Sequence, residues 1–164
     1  MAISEITVKR LSLISSRPFA EVVAFIEAAV GHPDMRKFGK DVGAASSWQE
    51  LEKVVNEAIG PEGFMEFARF NLGQIIAKER GADAPKILRF VVGNPLIMKQ
   101  MAEHVPDTAS YAPVTILLDE RTDGVHLTYD LMASYLETYG DLAALKVARD
   151  LDSKVEALLR AAAG

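Results

Sequence analysis

A predicted hairpin constrains the fold of this chain more than any other feature. Residues 114–119 and 125–129 are rich in β-branched and large apolar side chains, as strands are. The segment between them ends in Asp123-Gly124, a pair that suits a tight hairpin turn. Two strands joined by so short a connection must run antiparallel. The sheet of this protein is therefore predicted to be at least partly antiparallel.

The composition is that of an ordinary globular protein. The chain has 164 residues, of which 49% are hydrophobic and 25% are charged, and this length and balance suit one hydrophobic core. We therefore predict a single domain over residues 1–164. Cysteine is absent, which excludes disulfides, thiolate metal sites and cysteine nucleophiles, and is consistent with a reducing compartment.

Charge and hydropathy patterning argue against two classes of partner. The formal net charge is −5 and the basic residues are dispersed, whereas nucleic-acid binding normally requires a concentrated basic surface. No stretch approaches the roughly 18 consecutive apolar residues of a membrane span, and the N-terminus lacks an apolar signal core. We expect a cytoplasmic protein that binds neither nucleic acid nor membranes.

Apolar residues at helical spacing predict helices over 18–30, 47–59 and 95–104, and a long terminal helix that Asp141 caps. Gly31 is predicted to end the first helix in the left-handed conformation. Asn94 is predicted to cap the helix that begins at Pro95, since its side chain can accept a free backbone N–H. Residues 32–45 show no clear periodicity and are predicted to form a loop.

Strands are predicted over 4–14, 64–70 and 87–92 in addition to the hairpin, with shorter helices over 72–80 and after Asp130. The fold class is therefore α+β: a partly antiparallel sheet with helices packed on one face and a long C-terminal helix. The other face of the sheet must be solvated, paired with a partner, or part of a pocket.

Three short motifs follow one another in the second half of the chain. They are Gly93-Asn94-Pro95-Leu96-Ile97, Tyr111-Ala112-Pro113-Val114 and Thr128-Tyr129-Asp130. Together with the early Ser15-Ser16-Arg17-Pro18-Phe19 and the late Leu151-Asp152, they resemble the bacterial domain-of-unknown-function 302 family. The resemblance implies a compact α+β domain from a family without an established general activity. Residues 32–60 are the least similar part and are predicted to be a variable insertion.

The turn, loop and strand end within residues 93–130 suggest a binding site. We predict a pocket for a small apolar or amphipathic ligand, lined by the 93–95 turn, the 110–113 loop and the 126–130 strand end. Tyrosines suit such a pocket because they combine an apolar ring with a polar tip. The predicted ligand-binding residues are Asn94, Tyr111, His126, Tyr129 and Asp130.

Two alternative functions remain open from the sequence. Strand alternation places His126, Thr128 and Asp130 on one face of the sheet, so His126 with Asp119 or Asp130 is a candidate acid–base pair. Alternatively, the open face of the sheet is the interface of a homodimer, the oligomer that we favour.

No metal site is predicted, because none of the three histidines has a second ligand at an i, i+4 spacing on a predicted helix. Phosphate-binding loops, dinucleotide fingerprints and serine-nucleophile motifs are absent, which favours a non-enzymatic domain. No cofactor is predicted; haem is the alternative, and it would require an axial histidine or tyrosine in an apolar cavity. The identity of the ligand is left open.

Overall fold

The computed structural model describes residues 3–164 and shows one antiparallel sheet with helices on one of its faces. The α+β prediction is confirmed, as is the long C-terminal helix. The elements are β1 (Arg10–Ser15), α1 (Phe19–Ala29), α2 (Met35–Ala44), α3 (Trp48–Ala58), β2 (Met65–Asn71), α4 (Gly73–Arg80), β3 (Ile87–Gly93), α5 (Pro95–Ala102), β4 (Val114–Arg121), β5 (Gly124–Asp130), α6 (Met132–Leu136) and α7 (Leu142–Ala163). Short 3-10 turns occupy Gly81–Asp83, Pro106–Ser110 and Glu137–Tyr139.

The strand order is β1-β5-β4-β3-β2, and all neighbouring pairs are antiparallel. The predicted hairpin is present as β4 and β5, with Arg121 opposite Gly124 at its turn. β2 to β5 are neighbours in the order of the chain. β1 instead pairs with the last strand, in a register that places Arg10 opposite Asp130.

One face of the sheet carries the core. Rows of cross-strand partners there are apolar and buried; one of them runs Leu88, Leu118, Leu127. This face packs against the helices, and the buried apolar side chains of α7 extend from Ala144 to Ala162. Close packing of these side chains is what fixes the helical layer on the sheet.

The opposite face is uncovered by the long helices and carries polar as well as apolar side chains. We call it the open face. Its central row of cross-strand partners crosses all five strands. The row is Phe70, Arg89, Leu117, Thr128 and Ser12.

The prediction of a loop over residues 32–45 is wrong, because α2 occupies Met35–Ala44. Asp34 begins this helix by accepting the backbone N–H groups of Arg36 and Lys37, both at 2.9 Å. Gly39 and Gly43 lie within the helix and lower its intrinsic helix propensity, although Met35, Phe38 and Val42 keep helical spacing. α2 packs against α3, and none of its residues is buried in the main core.

The first strand is shorter than the predicted 4–14. Pairing begins at Arg10 because its partner on β5, Asp130, is the last residue of that strand. Beyond it, a single backbone hydrogen bond of 2.9 Å runs from Leu131 N to Lys9 O. The apolar residues between positions 3 and 9 therefore lie outside the paired strand.

Gly31 ends the first helical segment, but it does not adopt the predicted left-handed conformation. Gly31 instead allows the backbone of Ala58 to approach closely. A Cβ built on Gly31 would lie 1.9 Å from the carbonyl oxygen of Ala58. Gly60 faces the same contact from the other side, and a Cβ built on it would lie 2.4 Å from the carbonyl carbon of Val30. The absence of side chains lets the ends of α1 and α3 meet backbone to backbone.

Within residues 3–164, no helix combines the length and the apolar character that crossing a bilayer requires.

Candidate functional site

Two adjoining concavities lie where β3 ends and β4 begins. The first is a cavity of about 210 Å³ beneath α5, which we call the α5 cavity. Its wall is apolar apart from one amide side chain. The lining residues are Phe67, Gly93, Asn94, Pro95, Ile97, Met98, Met101, Ala112, Pro113, Val114 and Leu151.

Asn94 is the one polar side chain in this wall, and both ends of its amide are engaged. The oxygen Oδ1 accepts the backbone N–H of Leu96 at 2.9 Å, which is the predicted helix cap. The nitrogen Nδ2 donates to the carbonyl oxygen of Gly63 at 3.0 Å. Asn94 therefore positions α5 against the 60–63 turn, and the cavity offers a ligand almost purely apolar contact.

The second concavity, of about 460 Å³, lies on the open face, and we call it the open-face groove. Pro113 and Val114 line both concavities, so the start of β4 forms the wall between them. The other residues of the groove are Arg10, Leu72, Arg89, Ser110, Tyr111, Thr115, Leu117, Thr128, Asp130, Met132 and Tyr135.

Tyr111 and Asp130 both lie in the open-face groove. The ring of Tyr111 stacks on that of Tyr135, with centroids 4.5 Å apart and planes inclined by 17°. The carboxylate of Asp130 accepts two hydrogen bonds from the guanidinium of Arg10, at 2.6 and 2.9 Å. This hydrogen-bonded guanidinium lowers the pKa of Asp130. The predicted pocket is thus divided, with Asn94 in one concavity and Tyr111 and Asp130 in the other.

Tyr129 lines neither concavity, because it is on the helix-covered face and is 1% exposed. Its hydroxyl donates to Asp152 Oδ1 at 2.6 Å. The same carboxylate accepts the backbone N–H groups of Met132 at 2.7 Å and Ala133 at 2.9 Å. Asp152, on α7, therefore caps the first turn of α6 from a distance. Burial raises the pKa of Asp152 and also raises that of Tyr129.

His126 also lies outside both concavities, towards the hairpin end of β5. It is on the open face, as strand alternation predicts, between Asp119 on one neighbour and Ile14 on the other. Yet the side chain is 8% exposed, and its Nε2 lies 2.8 Å from Asp123 Oδ1. That hydrogen bond lowers the pKa of Asp123.

The predicted acid–base pair of His126 with Asp119 or Asp130 does not form. Arg121 binds the carboxylate of Asp119, and Arg10 binds that of Asp130, so both are held in ion pairs. The turn places Asp123 nearer to the imidazole than either of them. His126 lines neither the α5 cavity nor the open-face groove.

The other two histidines hold structural positions. His32 Nε2 lies 2.8 Å from the carbonyl oxygen of Glu27, and His104 follows α5 with its Nδ1 3.9 Å from Asp141. Residues 3–164 contain no group of three histidine, aspartate or glutamate side chains arranged to hold a metal ion. The lining of the α5 cavity includes neither histidine nor tyrosine among these described residues.

Sequence reasoning missed Arg89, Arg10 and Asp152. Strand alternation indicates that Arg89 lies on the open face, since its neighbours Leu88 and Phe90 must face the core. Asp152 has a clearer pattern: it follows Leu151 and precedes Val155 on the buried side of a long helix. A carboxylate in such a position needs hydrogen-bond partners, which predicts that it holds another element.

Comparison with known proteins identifies the family. The family model described as "Domain of unknown function DUF302" matches residues 40–162. The chain belongs to the DUF302 family. A solved structure described as an uncharacterized conserved protein DUF302 from Bacillus stearothermophilus has the same fold, with a TM-score of 0.64 and 10% sequence identity. The alignment covers 94% of this chain and 98% of that chain. The comparison with curated proteins found no match.

Proposed function

We propose that this DUF302 domain binds a small apolar molecule in the α5 cavity. The observation that carries the proposal is the chemistry of the wall. Ten of its eleven residues contribute apolar surface, and the amide of Asn94 is already hydrogen-bonded at both ends. A polar ligand would lose its hydration without new partners, whereas an apolar ligand gains burial.

The volume of the cavity limits the size of the ligand. An apolar cavity of about 150 Å³ accommodates benzene, and the α5 cavity has about 210 Å³. A one-ring or fused two-ring molecule, or a short alkyl chain, is therefore the expected size class. Met98 and Met101 support some variation in ligand shape, since their unbranched side chains adapt to irregular neighbours.

Ligand-observed NMR with indole as the probe tests this proposal. We expect saturation transfer to indole, with shift changes in the methyl groups of Ile97 and Met98. The substitution Ile97→Trp fills the cavity and should abolish both effects. Gln100→Trp is the matched control, because it adds a comparable side chain to the exposed side of the same helix. Binding that survives Ile97→Trp, or is lost equally in the control, would contradict the proposal.

The second candidate function is homodimerisation through the open face. It is favoured by two large apolar side chains exposed there, Phe70 at 47% and Ile14 at 56%. Native mass spectrometry should then show a dimer that Phe70→Ser converts to a monomer. Leu142→Ser is the control, since Leu142 is 82% exposed at the start of α7. A monomeric wild-type protein would exclude this function.

The expected cytoplasmic location depends on composition alone and stays a prediction, which fractionation of the source cells would check. The same is true of the expectation that the chain binds no nucleic acid.

A further inference from the structure

The open-face groove is lined by an arginine of β3. Arg89 lies on β3, the fourth strand in the sheet order, between Phe70 and Leu117 in the central row. Its Nη2 donates to the hydroxyl of Thr115 at 3.2 Å, and its Cζ lies 5.7 Å from the centroid of the Phe70 ring. These two neighbours hold the guanidinium over the sheet.

Arg89 differs from Arg10, the second arginine of the groove, in its partners. Arg10 has the carboxylate of Asp130 bound in a fork. Within residues 3–164, Arg89 has no carboxylate within 4.0 Å and one side-chain hydrogen bond. A guanidinium carries five N–H donors, so most of those on Arg89 have no acceptor among these described residues. With two arginines and one aspartate, the lining of the groove carries a net positive charge.

The rest of the groove is suited to an organic body rather than to a bare ion. Its lining includes Thr115 and Leu117 of β4 and Thr128 of β5, and the stacked rings of Tyr111 and Tyr135 also line it. The volume of about 460 Å³ is within the range of small-molecule sites. The groove therefore combines a cationic anchor with the apolar side chain of Leu117 and two aromatic rings.

We propose that the open-face groove binds a small organic carboxylate with a planar apolar body. The carboxylate accepts hydrogen bonds from the free N–H groups of Arg89, whose planar fork matches carboxylate geometry. The body of the ligand lies over Leu117 and against the tyrosine pair. This site is separate from the α5 cavity, although Pro113 and Val114 line both. Among the described residues, the lining of the α5 cavity has no charged side chain to pair with a carboxylate.

Titration with benzoate, followed by NMR, tests the proposal. Saturable shift changes are expected at Thr115, Leu117 and Thr128. Benzyl alcohol, which has the same ring without the charge, should bind at least ~10-fold more weakly, because a hydrogen-bonded charge pair is lost. Inorganic phosphate, which has the charge without the ring, should also bind more weakly.

Variants at Arg89 give the decisive comparison. Arg89→Met should weaken benzoate binding by ~10-fold or more, and Arg89→Lys by less, because it keeps the charge without the fork. Arg36→Met is the matched control: it removes the same charge from α2, outside the groove, and should leave the affinity unchanged. A melting curve for each variant verifies that it is folded.

Several results would overturn the proposal. They are an absence of benzoate binding, equal binding by benzyl alcohol or phosphate, and an Arg89→Met variant that binds as the wild type does. A wild-type dimer that buries Arg89 would also overturn it, since a second copy would then occupy the groove. None of these outcomes bears on indole binding to the α5 cavity, so the two proposals fail separately.

Discussion

Tyr129 donates its phenolic hydrogen to Asp152 across 2.6 Å, and this contact joins the last strand of the sheet to the last helix. The carboxylate also accepts two backbone N–H groups from the first turn of α6. Three elements are thus connected through one buried side chain that is 7% exposed. Such a carboxylate contributes to stability only while its donors are in place.

Removing the hydroxyl of Tyr129 and removing the carboxylate of Asp152 should both destabilise the domain, but by different amounts. Tyr129→Phe removes one hydrogen bond to a charged group and should lower the free energy of unfolding by ~1.5–3 kcal/mol. Asp152→Ala leaves three donors unsatisfied and should cost more. Urea unfolding measures both. Asp150→Ala is the control on the same helix, because Asp150 is exposed and pairs with the exposed Lys146, and it should change little. Equal losses in all three variants would contradict this role of Asp152.

The ion pair between Arg10 and Asp130 should give a defined pH dependence. The guanidinium lowers the pKa of Asp130 in the folded state, so its contribution to stability is present above the ordinary aspartate pKa of about 3.9. That contribution is lost as the pH falls through the lowered value. The gap in melting temperature between wild type and Asp130→Asn should accordingly close in acid. Arg10→Gln should behave alike, and the double variant should add nothing; a gap that is independent of pH would refute the pairing.

Gly31 and the glycines of α2 predict opposite effects of the same substitution. Gly31→Ala drives a Cβ into the backbone of Ala58 and should destabilise the domain by ~2 kcal/mol or more. Gly39→Ala and Gly43→Ala place the methyl group where nothing lies within 4 Å, inside a helix. Each should stabilise the domain by ~0.5–1 kcal/mol, because alanine favours helix over glycine. Thermal unfolding would distinguish these outcomes, and a tolerated Gly31→Ala would rule out the close approach.

Thr108 carries a buried hydroxyl that has no hydrogen-bond partner among the described residues. Thr108→Val replaces this hydroxyl with a methyl group of similar size. We expect the free energy of unfolding to rise by ~1 kcal/mol, because an unsatisfied buried polar group is removed. Thr108→Ala, which also loses the methyl contact, should not show this gain. A marked loss of stability in Thr108→Val would mean that the hydroxyl has a partner in solution.

The features of the fold that could be predicted from the sequence are those that neighbouring residues determine. The Asp123-Gly124 turn and the cap at Asn94 depend on neighbouring residues, and both are present. The prediction of a left-handed conformation at Gly31 is wrong. Glycine is required there because the backbone of Ala58, which is distant in sequence, leaves no room for a side chain. α2 was missed because it has only three large apolar residues and two glycines, which have low helix propensity.

The candidate site shows the same division between local and long-range causes. Alternation correctly placed His126 on the open face, but it does not give the distance to Asp123 or the arginine that holds Asp119. Tyr129 is predicted to bind a ligand because the sequence does not show the partner of its hydroxyl. That partner, Asp152, lies 23 positions farther along the chain. Side-chain pairing across elements is set by packing, which a single sequence does not display.

The strand order also has a consequence for how the domain forms. β2 to β5 pair with their neighbours in the chain, so each contact closes a comparatively short loop. β1 must instead find β5 across a separation of 120 residues between Arg10 and Asp130. Because closing a longer loop costs more entropy, we expect the four-stranded meander to assemble first and β1 to join last. In hydrogen exchange, the amides of β1 should then open more readily than those of β4, so the strand that is synthesised before the other four is the last of the five to be secured.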